Sequence, residues 1–200
     1  MKGDNKMAVS LVKGQKVSLT KEAPNLKRMV VGLGWDVNVK RGLFGTISGS
    51  FDLDASVIVL RNGRFEKSDD LVYYGNLKGC NGAIKHCGDN LTGEGDGDDE
   101  QIIINLESLP SDVDKIIVAV NIFGGKSKKQ DFGCVKNAYV RICNEVNGSE
   151  IIRFNLTENY SGALSMIFGE IYKHDNDWKF NPVGEGLRED SIKRIANSYK

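Results

Sequence analysis

Large apolar residues fall at alternate positions along much of this 200-residue chain, as Met29, Val31, Leu33 and Trp35 do, and again Ile116, Val118, Val120 and Ile122. Successive side chains of a strand point to opposite faces, so a period of two predicts strands with one buried face. The same reading predicts strands over 8–12, 16–19, 52–60, 71–74, 100–106, 137–144, 150–155, 163–172 and 178–183. Asn62-Gly63, Asn147-Gly148 and Asp175-Asn176-Asp177 supply the residues that reversals between strands require. Helical periodicity is convincing only near the C-terminus, where Ile192, Ile195, Ala196 and Tyr199 share one face. The expected fold class is all-β: a β-sandwich of two mostly antiparallel sheets, with a C-terminal helix against a sheet face or edge.

A chain of this length can bury one substantial core, so residues 7–200 are read as a single domain. Patterned sequence begins near Met7, which leaves residues 1–6 as a candidate disordered tail. Lysine plus arginine and aspartate plus glutamate each total 27, which excludes a global basic field, and direct nucleic-acid binding is not expected. No apolar run is long enough to cross a bilayer, and Met1-Lys2-Gly3-Asp4-Asn5-Lys6 lacks the apolar segment of a secretory signal. A cytoplasmic location is expected, and with it Cys80, Cys87, Cys134 and Cys143 read as reduced thiols.

The neutral total hides a strong asymmetry. Between Lys85 and Lys115 there is no lysine or arginine, but there are nine carboxylates. Six of them, Asp89, Glu94, Asp96, Asp98, Asp99 and Glu100, fall within residues 88–100 together with Asn90, Thr92 and four glycines. Calcium takes six to eight oxygen ligands, and glycines let the backbone turn its carbonyls inward, so this composition suits a hard cation. The loop holds no histidine or cysteine for a softer metal. It is not an EF-hand, because counting from Asp89 puts Leu91 and Gly93 at the third and fifth ligand positions.

A second acidic feature lies upstream in Phe51-Asp52-Leu53-Asp54-Ala55-Ser56-Val57. With Leu53, Ala55 and Val57 on one face of a strand, Asp52 and Asp54 project from the other, about 7 Å apart. If the acidic loop folds onto this pair, the anions need a cation between them; Asp36 joins the set if its strand neighbours theirs. Read alone, the residues fit equally a solvated acidic loop beside an edge strand.

These stretches, with Ala8-Val9-Ser10-Leu11-Val12-Lys13-Gly14, Gly34-Trp35-Asp36, Phe132-Gly133, Asn137-Ala138-Tyr139 and Trp178-Lys179-Phe180, resemble the TerD family of bacterial tellurium-resistance and stress proteins over nearly the whole chain from Met7. The resemblance implies a calcium-binding β-sandwich holding two ions. Its candidate ligands are Asp36, Asp52, Asp54, Asp89, Asn90, Glu94, Asp96, Asp98, Asp99 and Glu100. It implies no enzymatic activity, and it makes protein partners in a stress-response complex an expectation. The chain is also similar to slime-mould proteins named for cyclic AMP binding, which leaves a calcium-dependent nucleotide ligand as an alternative.

A thiol-dependent enzyme or sensor acting on tellurite or other oxyanions is the rival reading. Its only hint of activation is Cys87 beside His86, and strand neighbours point apart. Cys80, His86 and Cys87 match no standard zinc spacing. Membrane association is not expected, since Leu91 is the only obvious apolar residue in the acidic loop.

Overall fold

The computed structural model describes residues 8–37, 41–42, 45–46, 51–88, 97–175 and 177–200. The candidate tail at 1–6 lies outside them. In chain order the strands are β1 (Val9–Leu11), β2 (Val17–Ser18), β3 (Arg28–Val37), β4 (Arg41–Gly42), β5 (Gly45–Thr46), β6 (Leu53–Arg61), β7 (Leu71–Val72), β8 (Lys78–Gly79), β9 (Ile84–His86), β10 (Glu100–Asn105), β11 (Val113–Ile122), β12 (Val135–Asn144), β13 (Glu150–Asn155), β14 (Ser165–His174) and β15 (Asp177–Leu187). Three short α-helices accompany them: α1 (Leu19–Glu22), α2 (Gly125–Lys128) and α3 (Ile192–Asn197).

The strands form two main sheets, in the orders β1-β13-β12-β3-β10-β9-β8 and β2-β15-β14-β11-β6-β7, with β4 and β5 as a separate ribbon. Among the described pairings only β1 with β13 is parallel. The fold is thus the expected sandwich. The alternating residues meet between the sheets: Met29, Val31, Leu33 and Trp35 of β3 belong to one buried cluster with Leu53, Ala55, Val57 and Val59 of β6 and Ile116, Val118, Val120 and Ile122 of β11.

Two features depart from simple alternation. β6 is buried along its whole length. Its outward residues Ile58 and Leu60, with Ile117 and Ala119 of β11, form a second cluster with Ile192, Ile195 and Ala196 of α3. A six-residue helix is marginal alone, and covering this face stabilises it by about 1.5–3 kcal/mol per large side chain buried. The Ser191 hydroxyl caps it by accepting from Arg194 N. The second departure lies between residues 71 and 86, where the expected strand at 71–74 stops at Val72 and β8 and β9 follow, too short to show a period. Among the described residues no helix is long and apolar enough to cross a membrane.

Candidate metal centre

Strands β3, β6, β10, β11 and β12 all begin or finish at one end of the sandwich, and the described candidates Asp36, Asp52, Asp54, Asp98, Asp99 and Glu100 lie there. On β3 the inward side chains are large, while the outward positions are Gly32, Gly34 and Asp36. The glycines leave room for neighbours to lie against the sheet. A Cβ at Gly32 would overlap the Asp98 carboxylate, and one at Gly34 would overlap the Tyr139 ring.

Asp98 is held there by a bidentate pair with Arg141, Nε to Oδ1 at 2.7 Å and Nη2 to Oδ2 at 3.0 Å. Gln101 Nε2 also donates to Oδ2 at 3.0 Å, and the Tyr139 hydroxyl lies 3.0 Å from Oδ1 and 2.6 Å from the Gly97 carbonyl. Arg141 and Arg153 both reach Glu150, and the Arg153 guanidinium sits 4.1 Å from the Tyr139 ring centroid. Burial, with Asp98 adding to it, pushes the Tyr139 phenol up to about 12. This network anchors the end of the acidic segment to the outer face of β3 and β12. Gly32→Ala is therefore expected to displace Asp98, leave Arg141 half-paired, and destabilise the protein by about 2 kcal/mol or more. Urea unfolding checks this, and an unchanged midpoint would refute it.

Asp99 points towards Asp36. Its backbone N–H donates to Leu33 O at 2.8 Å, extending the β10 ladder, and its Oδ2 accepts from Trp35 N at 2.8 Å. Burial raises the Asp99 carboxyl above the usual range; the Trp35 N–H opposes this, and the Asp36 and Asp98 charges raise it further. Asp36 is exposed and accepts from Asn137 Nδ2 at 2.6 Å. Asn137 reaches it because the β12–β3 register shifts between Lys136 and Tyr139, with Asn137 at φ 52°. Such a bulge re-aims a side chain, and asparagine tolerates the left-handed region. Asp36, Asp99, Asn137, Asn155 and Gly97 share the lining of an open cavity of about 400 Å³ with Trp35, Tyr139 and Arg153. Their oxygens are carboxylate, amide and carbonyl, a donor set that fits a hard cation. Asn155 carries no local sequence signal and comes to the cavity through the pairing of β13 with β12, whereas Gly97 belongs to the glycine-rich acidic loop the sequence marks.

Glu100, one residue on, faces inward. Its Oε2 accepts from Ala55 N at 2.5 Å, and His86 Nε2 lies 3.2 Å from Ala55 O and 3.6 Å from the same Glu100 oxygen. Gly88 N donates to His86 Nδ1 at 3.2 Å, so the imidazole proton belongs on Nε2, where it is donated to Ala55 O. β7 pairs with β6 only at Val57 and Ile58. Beyond it, Glu100 and His86 bind the backbone edge of β6 at Ala55 as a further strand would, latching one sheet to the other.

Asp54 occupies the opposite face of β6. It is buried and accepts from Asn121 Nδ2 at 3.2 Å, the residue directly across on β11. Asp52 O accepts from Phe123 N at 2.7 Å. The condition for Asp36 to join Asp52 and Asp54 is not met, because β3 and β6 belong to different sheets. Of the described loop residues, Asp98 and Asp99 lie on the Asp36 side of β3, whereas Glu100 reaches the edge of β6 at Ala55, next to Asp54. Asp89, Asn90, Glu94 and Asp96 lie outside the described residues. Among the described residues no group of three His, Cys, Asp or Glu side chains is arranged to hold a metal ion.

The thiols are separated. Cys80 is buried beside Asp70 and Arg61, and burial and the Asp70 charge push its thiol up to about 12. Burial also raises Cys143. Cys87 is exposed while its neighbour His86 is buried.

A family model described as the TerD domain matches residues 7–199. The chain is 44% identical over 198 residues to stress response protein SCP2 of Bacillus subtilis (strain 168), covering 96% of this chain and 100% of that protein. It is 46% identical over 181 residues to the tellurium resistance protein TerD of Serratia marcescens, covering 90% and 91%. A crystal structure of a homologue of telluride resistance protein (TerD) from Streptomyces coelicolor A3(2) shares the fold, with a TM-score of 0.66 at 20% identity over 88% of this chain and 99% of that one. The chain belongs to the TerD family, whose named relatives are tellurium resistance and stress response proteins.

Proposed function

We propose that this protein is a calcium-binding, non-enzymatic binding or scaffold module of a tellurite-resistance and general stress response. The observation that carries the reading is the half-buried Asp99 carboxyl, beside the charges of Asp36 and Asp98 in a cavity whose lining includes Asp36, Asn137, Asn155 and Gly97 as well as Arg153. Burying like charges together is costly unless a cation compensates them. Asp36, Asp99 and Asn137 would hold an ion at the mouth of the acidic segment, to which Asp89, Asn90, Glu94 and Asp96 belong. Asp98 supports the site from its pair with Arg141. The ion would supply positive charge that draws the acidic residues together.

The non-enzymatic part rests on the thiols. Burial raises the Cys80 and Cys143 thiols, which disfavours the reactive thiolate, and both His86 nitrogens are engaged by the backbone.

Calcium titration calorimetry on the metal-stripped protein tests the reading. About two ions are expected, and Asp36→Asn with Asp99→Asn should weaken one of them roughly tenfold or more, since affinity follows ligand charge. Unchanged heats in the double variant would sink this ligand assignment.

A further inference from the structure

An aromatic surface lies at the same end of the sandwich, on the side of Asp54. Tyr74 follows β7 and Phe123 follows β11, the two strands that flank β6. Their rings meet edge-on with centroids 5.8 Å apart, and Tyr73 meets Tyr74 at 5.0 Å. Tyr74 is 42% and Phe123 46% exposed. Large rings left in water at adjoining sites forgo the gain of burial, and such patches mark interaction surfaces.

Lysines stand beside the rings. After Phe123 the chain turns through Gly124, at φ 67°, into α2, and residues 123–130 contain Lys126, Lys128 and Lys129 but no acid. Lys128 Nζ lies 5.5 Å from the Phe123 centroid, and Lys193 Nζ, from α3, lies 5.6 Å from that of Tyr73. The ammonium groups of Lys128 and Lys193 thus lie over the ring faces.

We propose that this aromatic–lysine surface docks on an anionic phospholipid bilayer, with the Tyr74 and Phe123 rings in the headgroup region and the lysines against lipid phosphates. Two chain reversals at a sheet end carry the rings, one closed by the Tyr73–Asn76 bridge and the other by α2. Tyrosine and lysine each join an apolar body to a polar tip, the chemistry that membrane interfaces select. Each lysine near an anionic leaflet strengthens binding by about fivefold. Asp52 and Asp54 lie close to Tyr74, and their charges oppose an anionic surface. A second calcium ion held by Asp52 and Asp54 would relieve that repulsion; this enhancement rests on the calcium reading, whereas the docking surface does not.

The test is cosedimentation of the full chain with vesicles of phosphatidylcholine alone or mixed with phosphatidylglycerol, in calcium and in chelator. Sedimentation is expected with the mixed vesicles only, stronger in calcium. Lys126→Glu with Lys128→Glu should weaken it by about 25-fold or more, and Tyr74→Ala with Phe123→Ala should weaken it at unchanged thermal midpoint. No sedimentation, equal sedimentation on both lipids, or variants that bind as the wild type would each overturn the proposal. So would retention on an acidic polypeptide but not on vesicles, which would make the partner a protein. Calorimetry on the same samples separates the two readings: calcium heats without sedimentation defeat docking alone, and sedimentation without calcium heats defeats the metal alone.

Discussion

Asp70→Ala is expected to destabilise the protein by about 3–5 kcal/mol, which for a chain of this size lowers the thermal midpoint by roughly 6–20 °C. Asp70 is fully buried, and Arg61, at the end of β6, is only 4% exposed. Arg61 Nε and Nη2 donate to the two Asp70 oxygens at 2.8 and 2.9 Å, while Nη1 reaches Asp112 at 2.6 Å. Cys80 Sγ lies 3.6 Å from Asp70 Oδ1 and fills the remaining side. Removing the Asp70 carboxylate strands a buried guanidinium whose remaining carboxylate, Asp112, is 45% exposed and partly screened. The desolvation already incurred by Arg61 then goes uncompensated. Replacing both partners, Arg61→Met with Asp70→Leu, should cost less than Asp70→Ala alone, because no charge is left buried. Urea unfolding of the three proteins decides it. A double variant less stable than the single one would show that the pair acts through packing rather than charge.

Calcium is expected to raise the thermal midpoint of the metal-stripped protein by about 5–11 °C at a free concentration near 100 times the dissociation constant. A ligand that binds only the native state contributes RT ln(1 + [L]/Kd), about 2.7 kcal/mol at that excess, and each kcal/mol moves a domain of this length by about 2–4 °C. The physical source is the cost of the Asp99 charge, whose carboxyl is raised first by burial and then by the charges of Asp36 and Asp98. Like charges roughly 5 Å apart at an effective dielectric near 20 repel by about 3 kcal/mol. Asp36→Asn with Asp99→Asn should unfold at a higher temperature than the wild type in chelator and gain less from calcium. Differential scanning calorimetry with and without chelator reads both effects. A wild type indifferent to calcium would remove the ion from the account of stability.

Alternation was enough to locate most of the sandwich. β13 runs over the stretch expected for it, Glu150–Asn155, and β3, β6, β10, β11 and β14 each contain most of theirs. A strand's period of two is set by its own backbone, so a one-sided apolar pattern reports burial without knowledge of the partner. Composition also marked residues 88–100 as oxygen-rich, and the pattern put Asp54 on the face away from Ala55, as it is.

Which strand meets which is a property of pairing between residues far apart in the chain, and it was decided only in three dimensions. β3 and β6 share the same alternation yet lie in opposite sheets, which parts Asp36 from Asp54 and brings it instead to Asp99 and Asn137. β8 and β9 are too short to show a period, yet β9 places His86 beside Glu100 on the edge of β6. Tyr74 and Phe123, 49 positions apart, became neighbours only because β7 and β11 flank the same strand. Local pattern determined the strands and the face each buries; the energy of pairing and packing between sheets determined which oxygen atoms, rings and charges stand together.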